Sequence, residues 1–384
     1  MTVAVGLLLV LLALSLYLGF YLNPGKASIY TTTDTTVSQL TVVAPTTETV
    51  TATTSIITTR LITTTLQGII PPINNVLIAN ISLPQYTWNV AVNPKTNMIY
   101  SIAPLTNLTV INGTTDRIIA SVNVGAYGSN YVAVNPATDF VYAGSDVLNS
   151  STNRIVGDLG YNISGIAIDP GMNVIFALSS DNAPRGNTSL LVLSGFNNSL
   201  IATFLLNGTA NSIALNPKTH VVYVPICSSG SVCAPIYLLA INGLNYNITA
   251  KILIDTDQAA GVPFAVAVDP QNNMVYMTDR ELVSVNGSTN HLVAKTIVGA
   301  YTIQCRGVAV NSQHNEIYVT GWRIGNYGSF FIVNGANYSL LNAFAGTGQP
   351  VSIAYDPTNT EIYVANSQTK SVLALNSTAF AVPS

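Results

Sequence analysis

A twelve-residue unit that occurs seven times limits what this chain can fold into more than any other feature. It reads NVAVNPKTNMIY at 89–100, YVAVNPATDFVY at 131–142, GIAIDPGMNVIF at 165–176, SIALNPKTHVVY at 212–223, AVAVDPQNNMVY at 265–276, GVAVNSQHNEIY at 307–318 and SIAYDPTNTEIY at 352–363. In every copy an alanine (Ala91, Ala133, Ala167, Ala214, Ala267, Ala309, Ala354) is followed nine positions later by an aromatic (Tyr100, Tyr142, Phe176, Tyr223, Tyr276, Tyr318, Tyr363). Apolar, often β-branched runs on either side of an Asn-Pro or Asp-Pro step predict two strands joined by a tight turn. The copy at Asn311-Ser312 lacks the proline and keeps the length.

The unit recurs every 34 to 53 residues, which leaves room for four strands each time. That period and strand count predict an all-β, seven-bladed β-propeller. Innermost strands converge on the axis, where a small side chain such as alanine is expected; the ring belongs further out, where the wedge between blades opens. Between units, polar turns at 108–122 (LTVINGTTDRIIASV), 282–297 and 331–344 predict hairpins of third and fourth strands. Each blade then runs from strand A at the hub to strand D at the rim. D-to-A and B-to-C loops share one face, and A-to-B and C-to-D turns share the other.

The two ends of this region are out of phase. Residues 76–83 (VLIANISL) read as a fourth strand with no first three before it, and 371–376 (SVLALN) reads as a third strand with no fourth after it. The expected solution is one shared blade, closed by strands from opposite ends of the repeat region, which hides two sheet edges that would otherwise pair with other chains.

The motifs VAVNP, IYVT, and VIN-G-T followed by a V-A-T-like strand resemble the YVTN family of β-propellers. Its tetrapeptide survives as Tyr318-Val319-Thr320 and, more loosely, Tyr363-Val364-Ala365-Asn366. The resemblance covers 76–384. It implies the fold and kinship with archaeal and bacterial surface-layer or secreted propellers, and it carries no family catalytic residues.

Residues 3–22 contain no charge and are long enough to cross a bilayer as a helix. The absence of a basic start favours a retained signal anchor over a cleaved signal peptide for 1–26. Residues 27–71 follow as a linker in which 17 of 35 positions from Thr31 to Thr65 are threonine. So little large apolar surface predicts a stalk rather than a packed domain, with 72–384 forming the propeller. The expected placement is a cell-membrane anchor with the propeller outside the cell, or a secreted propeller if the anchor is cleaved.

Only 8% of the 384 residues are charged, and the formal net charge is −3, so there is no basic stripe to hold nucleic acid. Cys227 and Cys233 bracket a short Ser/Gly loop that can close as a disulfide in an oxidising compartment, and Cys305 is left over as a packed thiol. Twelve Asn-X-Ser/Thr sites are glycosylation candidates. Six (Asn112, Asn149, Asn197, Asn286, Asn337, Asn376) fall on C-to-D turns, and Asn80 and Asn247 fall on outer strands. Asn107, Asn162, Asn187 and Asn207 map to the opposite face over the first three blades.

That opposite face has an arc without such sites, from the Val224 loop round to Trp88. It carries Asp255, Asp257, Gln258, Asp279, Arg280, Glu281, Tyr301, Arg306, Trp322, Arg323, Tyr327 and Tyr86 as well. Exposed aromatics and arginines are the usual anchors of contact, so Trp88, Asp257, Arg280, Tyr301, Arg306, Trp322 and Arg323 are the candidate ligand-binding residues. The plain alternative is a set of ordinary solvated loops.

Signals for catalysis are few. His220, His291 and His314 have no partner at metal-ligand spacing, and Asp255-Thr256-Asp257 lacks the oxygen series of a calcium loop. No phosphate loop, HExxH helix or nucleophile elbow is present. The expectation is a binding or cell-envelope module with a protein or glycan partner, without metal or cofactor. Two alternatives are an exported lyase, hydrolase or dehydrogenase in the funnel, for which Asp257, Arg306 and Tyr301 are the nearest set, and a self-associating structural envelope component.

Overall fold

A computed structural model describes residues 76–380, apart from 104–106, 126–130, 182, 184–186, 228–232, 257–262, 299–302, 324–326 and 346–347. The anchor expected at 3–22 and the stalk expected at 27–71 lie outside the described residues. Among those described, no helix is long and apolar enough to cross a membrane. Pro71–Ser384 forms one compact unit.

Seven four-stranded antiparallel sheets make up that unit. Six are consecutive in sequence, at 89–123, 132–158, 163–205, 214–255, 265–296 and 303–345. The seventh combines Pro350–Asp356, Glu361–Asn366 and Ser371–Asn376 with Leu77–Ser82 from the other end of the repeat region. Ser82 pairs with Ser371 and Leu77 with Leu375, and the pairing is extended by Leu83 N–H to Lys370 O (2.7 Å) and Asn376 N–H to Val76 O (2.9 Å). Each innermost strand neighbours the next, and that of the seventh blade neighbours that of the first, so the ring is closed.

The repeat builds this ring in three ways. First, the signature alanine and aromatic are direct cross-strand partners in all seven blades, from Ala91 opposite Tyr100 to Ala354 opposite Tyr363. The small residue is therefore required opposite a large one on the same face, more than by crowding at the hub. Second, every ring is fully buried and belongs to the cluster shared with the following blade. Tyr100 packs with Val132 and Val141, Phe176 with Val222 and Val224, and Tyr363 with Val90, Ile99 and Ile111 of the first blade. The buried apolar residues thus fall into seven clusters, one per interface between blades, and each ring contributes about 2–3 kcal/mol by its area.

Third, the Asn or Asp of each signature is buried and caps its own turn. Asn93, Asn135, Asp169, Asn216, Asp269, Asn311 and Asp356 are each 0% exposed. Each accepts through Oδ1 from the backbone N–H two residues on. This Asx turn sends the residue four positions on into the left-handed region (Asn97, Asp139, Asn173, His220, Asn273, Asn315, Thr360, φ between 51° and 59°). The carbonyl of that residue accepts an N–H from the C-to-D turn in the first six blades, which ties the two turns of one face together, and in the seventh from Ser377, just past the C strand. In five blades the donor is a glycine; a Cβ on Gly195 or Gly335 would lie 2.1 Å from an asparagine oxygen.

Candidate functional site

The seven inner strands enclose a cavity of about 580 Å³ on the axis, within the usual range for small-molecule sites. Every blade contributes the start of its A strand or the residues just before it: Val90, Val132, Ile166, Ile213, Val266, Val308 and Ile353 all line it. The mouth therefore lies on the face of the D-to-A and B-to-C loops. Between these aliphatic residues stand Ser164, Ser180, Asn211, Ser212, Ser352 and Asn162, with the rings of Trp88, Tyr131 and Phe264. Burial pushes the Tyr131 phenol up to about 12, so it remains a neutral donor and acceptor at physiological pH.

Arg306 is the one fully charged side chain among the described residues that line the cavity. Its position follows from local structure. The strand Ile303–Asn311 loses register with Glu316–Arg323 between Cys305 and Val308, a bulge that places Arg306 and Gly307 where regular pairing stops. A Cβ on Gly307 would sit 2.8 Å from Thr320 Oγ1 and 3.1 Å from the backbone nitrogen of Ile353, so only glycine lets the chain approach there. Thr320 Oγ1 accepts from Gly307 N–H (2.9 Å), and Thr278 Oγ1 of the preceding blade donates to the carbonyl of Arg306 (3.1 Å).

The guanidinium carbon lies over two rings, 3.8 Å from the centre of Phe264 and 5.1 Å from that of Trp322. Nη2 donates to Gln304 Oε1 at 2.9 Å, whereas Nε is buried without a hydrogen-bond partner, as is the indole nitrogen of Trp322. Among the described residues no carboxylate lies within ion-pair reach of Arg306. Burial pushes its pKa down from the ordinary value of 12.5.

The arc expected from sequence is only partly assembled here. Trp88, 44% exposed, and Arg306 share the cavity, and Trp322 backs the guanidinium. Arg280 is exposed and is not part of the lining. Asp257, Tyr301 and the side chain of Arg323 lie outside the described residues, as do Gln258 and the side chain of Tyr327. Tyr86 carries Lys370 over its ring at 4.6 Å, and Asp255 pairs with Lys295 (2.7 Å) between outer strands. Sequence reasoning missed Tyr131 and Phe264. Their signal was positional, because each sits at, or one residue before, the first position of a signature, as Trp88 does.

Cys227 and Cys233 are bonded to each other, with Cα atoms 5.1 Å apart, at the end of a B strand on the cavity face. Cys305 is free and buried, and burial pushes its thiol up to about 12. Of the twelve sequon asparagines none is buried, and Asn162 stands at the cavity itself. Five of the six expected on C-to-D turns are there and hold their turns through Oδ1: Asn112, Asn149 and Asn286 accept two backbone N–H groups each, and Asn197 and Asn337 accept from their own sequon hydroxyls (2.8 Å). Asn242 does the same without a sequon, so the turn alone explains asparagine at this position. The sixth, Asn376, instead ends the third strand of the shared blade, whose fourth strand comes from the other end of the repeat region, and accepts from Thr378 Oγ1 (2.8 Å). Nδ2, the atom that would carry a glycan, is not used in these bonds.

Among the described residues no group of His, Cys, Asp or Glu is placed to hold a metal ion. No protein-family model matches the chain, and no curated protein matches it.

Proposed function

We propose that the chain is a cell-surface binding module of the YVTN kind, held to the membrane by 3–22, raised by the threonine-rich stalk, and taking a ligand in the axial cavity of its propeller. One observation carries this reading: a cavity of about 580 Å³ to which all seven blades contribute, lined by rings, hydroxyls and amides around one cation. Such groups suit selective holding of a polar ligand, since rings give contact area and hydroxyls and amides give direction. The described lining has no carboxylate or imidazole, the groups that acid–base hydrolysis or elimination would draw on. Its C-to-D turns, on the face away from the cavity, are the surface assigned to glycans, because the bonds that hold these turns use Oδ1 and not Nδ2. The experiment is a thermal-shift screen of saccharides and small organic acids against the protein and a Ser164→Trp variant that fills the cavity. Ligands that stabilise the first and not the second support the reading; equal stabilisation of both contradicts it.

A second reading, lateral self-association into an envelope layer, is favoured by the rim. Outer strands expose Ile118, Ile119, Ile155, Val156, Leu200, Ile201, Ile248, Leu253, Leu292 and Val293, an apolar band spread over five blades. Sedimentation velocity across a concentration series decides it: a monomer at every concentration removes this reading, whereas growing assemblies that Ile119→Lys and Val293→Lys disperse establish it.

A further inference from the structure

We infer that the axial cavity selects a carboxylate-bearing sugar, a uronic acid or a short saccharide containing one, through Arg306. The inference rests on the cavity being a binding site and adds the chemistry of what enters. An arginine in a partly buried position ordinarily has an acid beside it, because an unpaired charge away from water is costly. Here the cation is held by two aromatic faces and one amide oxygen, and none of these neutralises it. Nε is buried with no acceptor, so the surrounding protein leaves the guanidinium uncompensated on that side too. The bulge at Cys305–Val308, the glycine that permits it and the Thr278 bond to the Arg306 carbonyl all fix this backbone at the hub. A planar carboxylate matches the planar, multi-donor geometry of guanidinium better than a single hydroxyl does.

The rest of the lining argues for a sugar rather than a bare acid. Trp88 and Tyr131 bring rings to the lining, the kind of surface on which the C–H side of a pyranose packs, while Ser164, Ser212 and Asn211 bring hydroxyl and amide groups that can pair with its ring hydroxyls. The volume exceeds what one monosaccharide fills, which leaves space for a short chain.

The test is isothermal titration of the purified protein with D-glucuronate, D-galacturonate, a short oligogalacturonate and, as the neutral counterpart, D-glucose. The uronates are expected to bind at least about tenfold more tightly than glucose, the worth of one charge-assisted hydrogen bond. Arg306→Gln should remove that preference, bringing the uronate and glucose affinities together, with Arg306→Lys retaining part of it; both variants are checked for an unaltered thermal midpoint, and if Arg306→Gln destabilises the fold the Arg306→Lys variant and added salt carry the comparison. Equal affinity for glucose and uronate, or an uronate affinity untouched at Arg306, overturns the carboxylate assignment and leaves the cavity reading standing if Ser164→Trp abolishes binding. No binding of any uronate also overturns it, and the library screen then decides the cavity reading by itself.

Discussion

His220 Nδ1 lies 2.6 Å from Asp169 Oδ2, joining the A-to-B turn of the fourth blade to that of the third. Asp169 is wholly buried and also accepts, through Oδ1, the N–H groups of Gly171 and Met172 at 3.0 Å. One carboxylate therefore caps its own turn and locks the neighbouring one. Asn135 to Asn173 and Asn216 to Asn273, each 2.7 Å from Nδ2 to Oδ1, repeat the link in neutral form at the adjoining interfaces. Asp169→Ala is expected to cost about 3 kcal/mol, because it strands two backbone donors as well as the imidazole. Asp169→Asn keeps the turn acceptor and should cost about 1 kcal/mol. Urea denaturation measures both, and equal costs would show that the link between blades, which both substitutions weaken, and not the turn, carries the effect.

Tyr142 is opposite Ala133 across one strand pair, and its ring lies in the cluster between the second and third blades. Its hydroxyl donates to Asn198 Oδ1 at 3.1 Å. Tyr142→Ala should destabilise by about 3–5 kcal/mol as a cavity at an interface, and Tyr142→Phe by only about 1 kcal/mol. Ala133→Leu should cost about 1–3 kcal/mol by forcing the ring off its partner. Thermal and urea unfolding of the three variants rank them; a neutral Ala133→Leu would contradict the paired reading of the repeat.

Removing residues 72–84 takes away the strand Leu77–Ser82 and bares the edge of Ser371–Asn376. The truncated protein should unfold at lower temperature and associate, since an unpaired edge recruits other strands. Size-exclusion chromatography with a thermal scan tests this. A monomer with an unchanged midpoint would mean the ring does not depend on its shared blade.

Burial holds the phenols of Tyr100, Tyr131 and Tyr142 up at about 12 from the ordinary 10.0, and pushes Tyr276, Tyr318 and Tyr363 up as well. Below pH 10 these groups are neutral in both folded and unfolded chains, so they leave stability unchanged with pH. Above it the unfolded phenols release protons that the folded ones keep, and stability falls as the pH climbs from about 10 through 12. A spectrophotometric titration at alkaline pH should show these six phenols ionising together with loss of the fold. A single smooth titration with the fold intact would contradict this.

The fold could be read from the sequence because its signal is periodic: nine residues from Ala91 to Tyr100, repeated seven times, fix a strand pair, and seven such pairs fix a ring. The closing strand could be read from its phase alone. What Tyr100 or Tyr363 does could not, since alternation within a blade does not say which neighbouring blade a ring enters; the structure sends every one of them into the next. The cavity was harder still. Its aromatic lining comes from Trp88, Tyr131 and Phe264, which sit at the ragged upstream edge of the repeat where the copies diverge. Arg306 was visible as an arginine on the right face, but a bulge, not a motif, brings it to the axis.

Hydrogen exchange of the whole protein, with and without the tightest-binding member of the saccharide and organic-acid library, tests the binding site most directly. The ligand should slow exchange at the starts of the inner strands, around Val90, Ile166, Ile213, Val308 and Ile353 together. Slowing confined to outer strands such as Arg117–Asn123 or His291–Thr296 would contradict the account.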